Sequence, residues 1–241
     1  MLRRFRLKQL LDAVVTLAMG VAAAIMIWRG VGPPSGVQAT TPPPKLAIED
    51  VSSSQLTTTL EGTMSRGSAD ARIVLIEFAD FECPFCRKYH QETFSKVEEE
   101  LVASGKVRYV FRHFPLEQVH FNAVAAARAA ECASEQDKFW EMRAQLFERQ
   151  PEIGRAFWVP ASREMGLQTA RFEKCLQTAS RDDRIRRDQE EANRLGVKVT
   201  PTFLLGVSEG KVVRVFRKIE GARNLNVFTE AVEALASMRT K

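Results

Sequence analysis

The pattern of apolar and polar residues between positions 73 and 112 predicts two strands separated by a helix. Residues 73–78 form a continuous, largely β-branched apolar run, which is typical of a buried central strand. Apolar side chains then recur at helical spacing, at Phe85, Tyr89, Phe94, Val97 and Leu101. Residues 107–112 alternate between apolar and polar in the manner of a second strand. The segment therefore predicts a βαβ unit with a parallel pair of strands.

The remainder of the chain predicts a block of helices followed by two strands and a last helix. Helical patterns cover the ranges 119–133, 135–149, 169–178 and 180–195. Residues 197–205 and 211–219 have the pattern of two strands joined by a turn, and a final helix is expected over about 224–238. This order predicts an α/β, thioredoxin-like fold with an inserted helical domain at about 116–196.

The first 29 residues carry the signals of a membrane or export segment. Residues 1–9 hold four positive charges, and the 19 residues 10–28 are apolar apart from Asp12. A helix of that length spans about 28 Å, close to the thickness of the bilayer core. Positive charge before such a segment places the N-terminus in the cytoplasm. We therefore expect a cytoplasmic basic segment over 1–9, a transmembrane helix over 10–29 and an exported remainder.

Two interpretations of this segment stay open. The favoured one is an uncleaved single-pass anchor in the inner or plasma membrane, with the following domain in the periplasm or another extracytoplasmic space. The other is a signal peptide cleaved at the small residues Val37-Gln38-Ala39, which would leave a soluble periplasmic protein. A Pro/Ser/Thr-rich linker is expected over 30–58 and a folded domain over 59–241.

Composition and charge exclude several classes of protein. The 241 residues are 45% hydrophobic and 27% charged, an ordinary globular balance. The net charge of +5 arises mainly in residues 1–44, which carry five Lys or Arg and one acid and leave 30 basic and 29 acidic residues elsewhere. The basic stretch 181–187 is interleaved with Asp and is interpreted as a solvated helix face. We therefore expect no nucleic-acid partner, and a monomer, because no dimerisation module is visible.

The candidate chemistry lies in Cys83-Pro84-Phe85-Cys86, at the junction of the first predicted strand and the following helix. A CxxC at such a junction within a βαβ unit indicates dithiol redox chemistry. Half of a zinc site is the alternative, but a second CxxC or a paired histidine motif is missing from the sequence. The three histidines, at 90, 113 and 120, lack ligand spacing. The sequence therefore predicts neither a metal nor a cofactor.

The spacing of the two cysteines assigns them different roles. Cys83 is expected at the N-cap or first turn of the helix, where free backbone N–H groups and the helix dipole favour a thiolate. Pro84 suits the first helical position because no backbone N–H is needed there. Cys86 lies on the same side of the helix, within reach of a disulfide. We therefore predict Cys83 as the more exposed attacking thiol and Cys86 as the more buried resolving thiol.

Two further positions are candidates for the same chemistry. Alternation along the first strand turns Glu77 inward, where an unpaired carboxyl is costly and tends to stay protonated. Glu77 is predicted to relay a proton for Cys86, with a surface glutamate at the sheet edge as the alternative. Thr200-Pro201 opens an apolar strand, where a cis peptide bond in a tight turn is one interpretation and an ordinary trans turn is the other.

Several spaced segments together resemble one family. They are residues 78–86 (FADFECPFC), 111–116 (FRHFPL), 129–133 (AAECA), 138–142 (KFWEM) and 199–203 (VTPTF). In this order they resemble the DsbA-like thiol–disulfide oxidoreductases of the thioredoxin superfamily, over about residues 60–238. The resemblance implies a thioredoxin fold with a helical insertion, a redox-active Cys83–Cys86 pair, and Pro201 in cis beside it.

The resemblance also implies roles for individual residues. The backbone of Thr200 would pair with an extended client chain, and Glu77 falls where the family carries its buried acid. Cys132 and Cys175 would form a second, structural disulfide; two buried free thiols are the alternative. Phe85 departs from the Pro-His pair of the strongest oxidant in the family, because phenylalanine supplies no imidazolium to the thiolate. A less oxidising pair is therefore expected.

The function predicted from the sequence is an exported, membrane-anchored enzyme that introduces disulfides into client proteins through Cys83 and Cys86. Its partners would be client proteins with free thiols or disulfides and a membrane redox partner that reoxidises it. A thiol reductase or disulfide isomerase, kept reduced by a membrane electron donor, is the first alternative. A non-redox, peptide-binding chaperone module is the second.

Overall fold

The computed structural model describes residues 48–154 and 156–238, which contain a seven-stranded mixed sheet. The strands are β1 (Glu49–Asp50), β2 (Thr57–Thr59), β3 (Met64–Arg66), β4 (Ile73–Ala79), β5 (Val107–His113), β6 (Thr202–Glu209) and β7 (Val212–Glu220). Their order across the sheet is β1-β7-β6-β4-β5-β3, and β2 also pairs with β7. Strands β4 and β5 run parallel, and the other pairs are antiparallel.

Strand β4 is the centre of the sheet, and all seven of its residues are buried. It pairs with β5 on one side and with β6 on the other, with Ile73 opposite both Val107 and Val207. A strand buried on both faces requires the continuous apolar run seen in the sequence. The predicted parallel pair is confirmed, and the chain leaves β4 at Ala79, just before the CxxC motif.

The helices lie on both faces of the sheet and beyond its end. They are α1 (Pro84–Tyr89, continued by the π-helical turns His90–Phe94 and Glu98–Val102 with Ser95–Val97 between them), α2 (Ala123–Ser134), α3 (Phe139–Glu148), α4 (Trp158–Glu164), α5 (Thr169–Thr178), α6 (Asp182–Arg194) and α7 (Leu225–Ser237). Helices α2 to α6 all fall between β5 and β6, which confirms a thioredoxin-like α/β fold with a helical insertion.

Three apolar clusters join these layers. One packs α1 and α7 on the sheet around Tyr89, Phe203 and Phe228. A second packs the opposite face against Ala192 and Leu195 at the end of α6. The third lies mainly within the insertion and reaches the CxxC motif. The insertion therefore shares its apolar core with the turn that carries Cys83 and Cys86.

The stretch 181–187, which the sequence predicts to be a solvated helix face, is only partly exposed to solvent. Arg186 and Arg187 are exposed, but Ile185 is buried in the core of the insertion. Asp188, just beyond the stretch, is buried and receives a 2.7 Å hydrogen bond from Arg112 on β5. An ion pair at this depth needs both partners, because removing one leaves an uncompensated buried charge.

The predicted linker is too long at its C-terminal end. It includes residues 48–58, but β1 and β2 within that range pair with β7 and extend the sheet. Val51 and Leu60 are buried against the sheet, and Val51 N donates a 3.0 Å hydrogen bond to Phe216 O. The segment is too short and too rich in Ser and Thr to show a periodic pattern, so its partner strand decides its structure.

The edge strand β3 was also missed. Its three residues pair antiparallel with β5, with Ser65 opposite Val110. Three half-buried residues give no alternation that a sequence pattern can detect. The strand covers the outer side of β5 and so leaves less unpaired edge on the sheet.

The predicted anchor over 10–29 and the cleavage site at 37–39 lie outside the described residues. Within residues 48–154 and 156–238, none of the helices is both long and apolar enough to cross a membrane. The anchor therefore stays a prediction from the sequence.

A disulfide joins Cys132 on α2 to Cys175 on α5, with Cα atoms 5.7 Å apart. This is the pairing that the resemblance implied. The bond closes a loop across a sequence separation of 43 residues. In the chain-entropy model, such a loop stabilises the fold by about 4 kcal/mol, because the crosslink restricts the unfolded chain.

We expect a reductant to destabilise the fold through this bond alone when the motif cysteines are removed. In a Cys83→Ser/Cys86→Ser background, reduction should lower the free energy of unfolding in urea by about 2 to 4 kcal/mol. The matched control adds Cys132→Ala and Cys175→Ala and should not respond to the reductant. An equal unfolding free energy with and without reductant in the first protein would contradict this account.

Candidate active site

The CxxC motif occupies the turn between β4 and α1. Cys83 is the N-cap of α1, with extended backbone angles (φ −70°, ψ 122°), and Pro84 is the first helical residue. Cys83 O accepts a 3.1 Å hydrogen bond from Arg87 N, which closes the first helical turn. The Cys83 sulfur therefore lies beside the free N–H groups at the start of a helix, as the sequence predicted.

Asp80 shapes this turn, and sequence reasoning missed it. Its buried carboxylate accepts hydrogen bonds from the backbone N–H of Glu82 at 2.8 Å and of Leu116 at 2.7 Å. His120 Nδ1 lies 2.8 Å from the same carboxylate, and Asp80 O accepts from Cys83 N at 3.2 Å. An Asp three residues before a helical N-cap was a usable signal, because Asp side chains commonly bond backbone N–H groups in turns.

A second anchor for the turn comes from the insertion. Gln150 Nε2 donates to Phe81 O at 2.6 Å and to Cys83 O at 3.0 Å. Glu82 accepts from Asn122 N at 2.6 Å and from Asn122 Nδ2 at 3.0 Å. The active-site turn is thus held by the insertion on two sides, through contacts too distant in sequence to predict.

The two motif cysteines are free thiols with opposite acidities. A hydrogen bond from the Cys86 thiol lowers the pKa of Cys83 to about 6, against the cost of burial, with smaller help from Thr200 and the backbone N–H groups of Cys86 and Phe85. Burial raises the pKa of Cys86 well above its ordinary value, and the Cys83 thiolate and the Glu77 charge raise it further. Near neutral pH, Cys83 is therefore the thiolate and Cys86 the protonated thiol.

Cys83 is the more exposed of the pair, as predicted, but only slightly, and both cysteines are buried. Cys83 is 4% exposed and Cys86 is 0% exposed. The two thiols therefore differ more in their pKa than in their exposure to solvent. Phe85, between them, is 59% exposed, because it points away from the core at the start of the helix.

The Thr200-Pro201 peptide bond is cis, and it faces Cys83 across the site. The Cys83 thiol lies 3.4 Å from Thr200 O. The Thr200 hydroxyl is buried and lacks a partner among the described residues. It can therefore donate to the Cys83 thiolate, which agrees with its effect on the pKa of Cys83.

Glu77 is fully buried, as the alternation predicted, but it is not the lone carboxyl that was expected. Its Oε2 accepts a 2.9 Å hydrogen bond from Arg143 Nη2 and another from the Tyr109 hydroxyl. Arg143 comes from α3 in the insertion and is itself buried. A guanidinium at this distance compensates a carboxylate, so the argument from an unpaired acid was wrong.

The helical pattern held a signal for Arg143. It lies four residues after Phe139 and four before Phe147, in the middle of the apolar face of α3. An arginine in such a position is buried and must be paired. Its partner on β4 could not be read from the sequence.

The histidines lie in structural contacts. His113 Nε2 is 2.9 Å from Glu131 Oε1 inside the insertion core, and His120 contacts Asp80. Across residues 48–154 and 156–238, the His, Cys, Asp and Glu side chains form no group of three that could hold a metal ion.

Comparison with known proteins finds a family model and several relatives that match this chain. The family model described as Thioredoxin matches residues 59–234. The Na(+)/H(+) antiporter NhaA 3 of Salinispora tropica is 36% identical over 177 residues, which cover 73% of this chain and 25% of the antiporter. NhaA 1 of Mycolicibacterium vanbaalenii is 36% identical over 143 residues, 58% of this chain and 22% of the antiporter. The chain thus spans about a quarter of the length of these relatives.

Solved structures share the fold. DsbA2 of Pseudomonas aeruginosa is 27% identical with a TM-score of 0.61, and the match covers 76% of this chain and all of that one (100%). Wolbachia pipientis alpha-DsbA1 is 24% identical with a TM-score of 0.61, over 73% of this chain and 92% of that one. Oxidised BdbD of Bacillus subtilis is 19% identical with a TM-score of 0.61, over 75% of this chain and 96% of that one.

Proposed function

This chain belongs to the thioredoxin family and is DsbA-like, and from that premise we propose that it donates disulfides to exported client proteins. Its activity class is protein thiol–disulfide oxidoreductase. The observation that carries the direction of transfer is the acidity of Cys83, whose pKa is lowered to about 6. A stable thiolate favours the reduced enzyme and so makes its disulfide the better oxidant.

The transfer takes two exchanges. A client thiolate attacks the Cys83 sulfur of the Cys83–Cys86 disulfide, and Cys86 leaves as a thiolate that takes up a proton because its pKa is high. A second client thiolate then attacks the client sulfur of the mixed disulfide, and Cys83 leaves as a stable thiolate. The client loses two electrons and gains a disulfide, while the enzyme becomes a dithiol.

The residues around Cys83 have distinct tasks in this scheme. The charge of Glu77 raises the pKa of the Cys86 thiol, and we assign Glu77 the relay of the Cys86 proton. The backbone at Thr200 and the cis Pro201 would pair with extended client chain. Phe85 lies between the two motif cysteines and Val199 directly before Thr200. Both are exposed apolar side chains and would contact the client.

The site of action is a separate part of the proposal. The four positive charges of residues 1–9 and the apolar stretch 10–28 support an exported domain held by a membrane anchor, close to a membrane redox partner that reoxidises Cys83 and Cys86. Fractionation of cells distinguishes an uncleaved membrane anchor from a cleaved signal peptide. The anchored chain sediments with membranes and retains residues 1–29, whereas a cleaved chain is recovered in the soluble fraction without them.

Disulfide donation is tested with a reduced client peptide that carries two cysteines. The oxidised full chain, in detergent, should form one client disulfide per enzyme, and Cys83→Ser should form none because its attacked sulfur is missing. Cys86→Ser, mixed with an oxidised client, should accumulate a mixed disulfide at Cys83. The control Cys132→Ala/Cys175→Ala should keep the transfer under conditions where it stays folded.

Other outcomes would contradict the proposal in identifiable ways. If the oxidised chain leaves the client unchanged while the reduced chain reduces a client disulfide, the enzyme is a reductase or isomerase. If Cys83→Ser suppresses aggregation of the client as well as the wild type does and neither exchanges thiols, the chain is a chaperone module.

A further inference from the structure

A cavity of about 340 Å³ opens between α1 and the loop that joins β7 to α7. One wall is formed by side chains of α1 between residues 88 and 96, and the other by residues 222–225. The Thr93 hydroxyl donates a 2.9 Å hydrogen bond to Arg223 O and so joins the two walls. Arg223 Nε donates to Glu220 O at 2.9 Å, which fixes its side chain at the wall. The cavity is therefore built from residues that the thiol exchange itself does not use.

The cavity begins beside the groove that a client would occupy. Gly221 N, in the loop, donates a 2.8 Å hydrogen bond to Pro201 O. Lys88, in the other wall, lies on the helix that Cys83 caps. Because a helix rises about 1.5 Å per residue, Lys88 lies roughly 8 Å and Lys96 roughly 15 to 20 Å from Cys83 along α1. The cavity therefore extends away from the catalytic sulfur on one side of the client groove.

The charges in this cavity are mainly positive. Lys88, Lys96 and Arg223 contribute three cations to the lining, against one carboxylate, that of Glu92. Lys88 Nζ and Glu92 Oε2 are 4.0 Å apart, and both side chains are more than half exposed, so solvent weakens their attraction. Lys96 is exposed and has no ion pair among the described residues. A cleft lined mainly by one sign of charge concentrates ligands of the opposite sign.

The position of the cations matches the reach of a bound client. A client chain that pairs with the backbone at Thr200 is extended, at about 3.3 Å per residue. The distance from Cys83 to the two lysines then corresponds to about three to six client residues. A carboxylate at such a position would meet Lys88, Lys96 and Arg223 while the client sulfur meets Cys83.

We propose that this cavity binds an acidic side chain of the client, about three to six residues from the client's reacting cysteine, and that Lys88, Lys96 and Arg223 are the specificity-determining residues. The inference rests on the proposed thiol exchange and names the class of client with which it is fastest. Recognition in the cavity changes how the client binds, and the exchange of sulfur bonds at Cys83 stays as described. Because the client chain crosses Cys83 in one direction, only an acidic residue on one side of the client cysteine reaches the cavity.

The test uses the full chain as Cys86→Ser, in detergent, and a client peptide with one cysteine, activated as a mixed disulfide with 2-thiopyridine. The Cys83 thiolate attacks the client sulfur, the client–pyridyl disulfide breaks, and pyridine-2-thione leaves as the chromophore. The client stays bonded to Cys83, because the thiol of Cys86 that would resolve the new disulfide is missing. The second-order rate constant of thione release therefore reports recognition of the client at Cys83.

The peptides differ in one residue, Glu or Gln, placed at a chosen distance on either side of the cysteine. Glu at about three to six residues on one side should raise the rate constant about fivefold over Gln, the size of a favourable charge contact at a surface. On the other side, or about ten residues away, Glu and Gln should react equally. In about 1 M salt the gain should disappear, because the Debye length falls to about 3 Å. The rate of each peptide with 2-mercaptoethanol, a neutral thiol, corrects for any effect of Glu on the disulfide itself.

Substitutions in the cavity make the result specific. Lys88→Gln/Lys96→Gln should bring the ratio of the Glu and Gln rate constants close to one, and Lys96→Glu should invert the preference in favour of a client Lys. Glu92→Gln removes the carboxylate of the lining and should increase the ratio. Lys106→Gln removes a positive charge from an exposed side chain just before β5, at the end of the sheet opposite the CxxC motif, and should leave the ratio unchanged.

The failures are distinguishable. If Cys86→Ser releases no more thione than Cys83→Ser/Cys86→Ser, the proposed thiol exchange is wrong. If Cys86→Ser reacts but does not distinguish Glu from Gln, or gains equally from Glu on both sides of the cysteine, the cavity does not select the client. A preference that Lys88→Gln/Lys96→Gln retains, in a protein that circular dichroism shows to be folded, also overturns the assignment, as does a preference that Lys106→Gln loses.

Discussion

The site depends on one placement, that of the Cys83 sulfur at the start of a helix and opposite the cis Thr200-Pro201 bond. The buried carboxylate of Asp80 and the amide of Gln150 hold the turn that presents this sulfur. The sulfur therefore meets N–H groups and a hydroxyl rather than bulk water. Such preorganised donors stabilise negative charge without having to reorganise when it forms.

The acidity of Cys83 sets a scale for the redox chemistry. A lowered pKa stabilises the reduced form at pH values above it, and this advantage is lost as the pH falls through about 6. Compared with an ordinary thiol of pKa about 8.5, the reduced form gains about tenfold near pH 7, which is about 30 mV for a two-electron couple. A gain of that size fits a moderate oxidant, as the exposed, uncharged Phe85 beside Cys83 also indicates. The insertion adds the rest of the site, through Gln150 at the turn and Arg143 at Glu77.

Sequence reasoning succeeded where a pattern is long or chemically unusual. The apolar run of β4 and the position of Cys83 and Cys86 after it required no tertiary information. The short strands at 49–50, 57–59 and 64–66 escaped because their partners, β7 and β5, impose their structure. Glu77 was correctly turned inward, but its charge partner Arg143 lies 66 residues away on another element. Only the folded chain brings the two together.

The most direct test of this account is the acidity of Cys83 in the reduced full chain. The rate of alkylation by iodoacetamide, followed by mass spectrometry of the Cys83 peptide, reports the thiolate fraction as the pH is varied. The account predicts a midpoint near pH 6, with Cys86 unmodified until far higher pH. A midpoint at or above about 8.5, the value of an unperturbed thiol, would contradict it, because the Cys86 thiol, the Thr200 hydroxyl and the backbone N–H groups at the helix start would then fail to stabilise the thiolate.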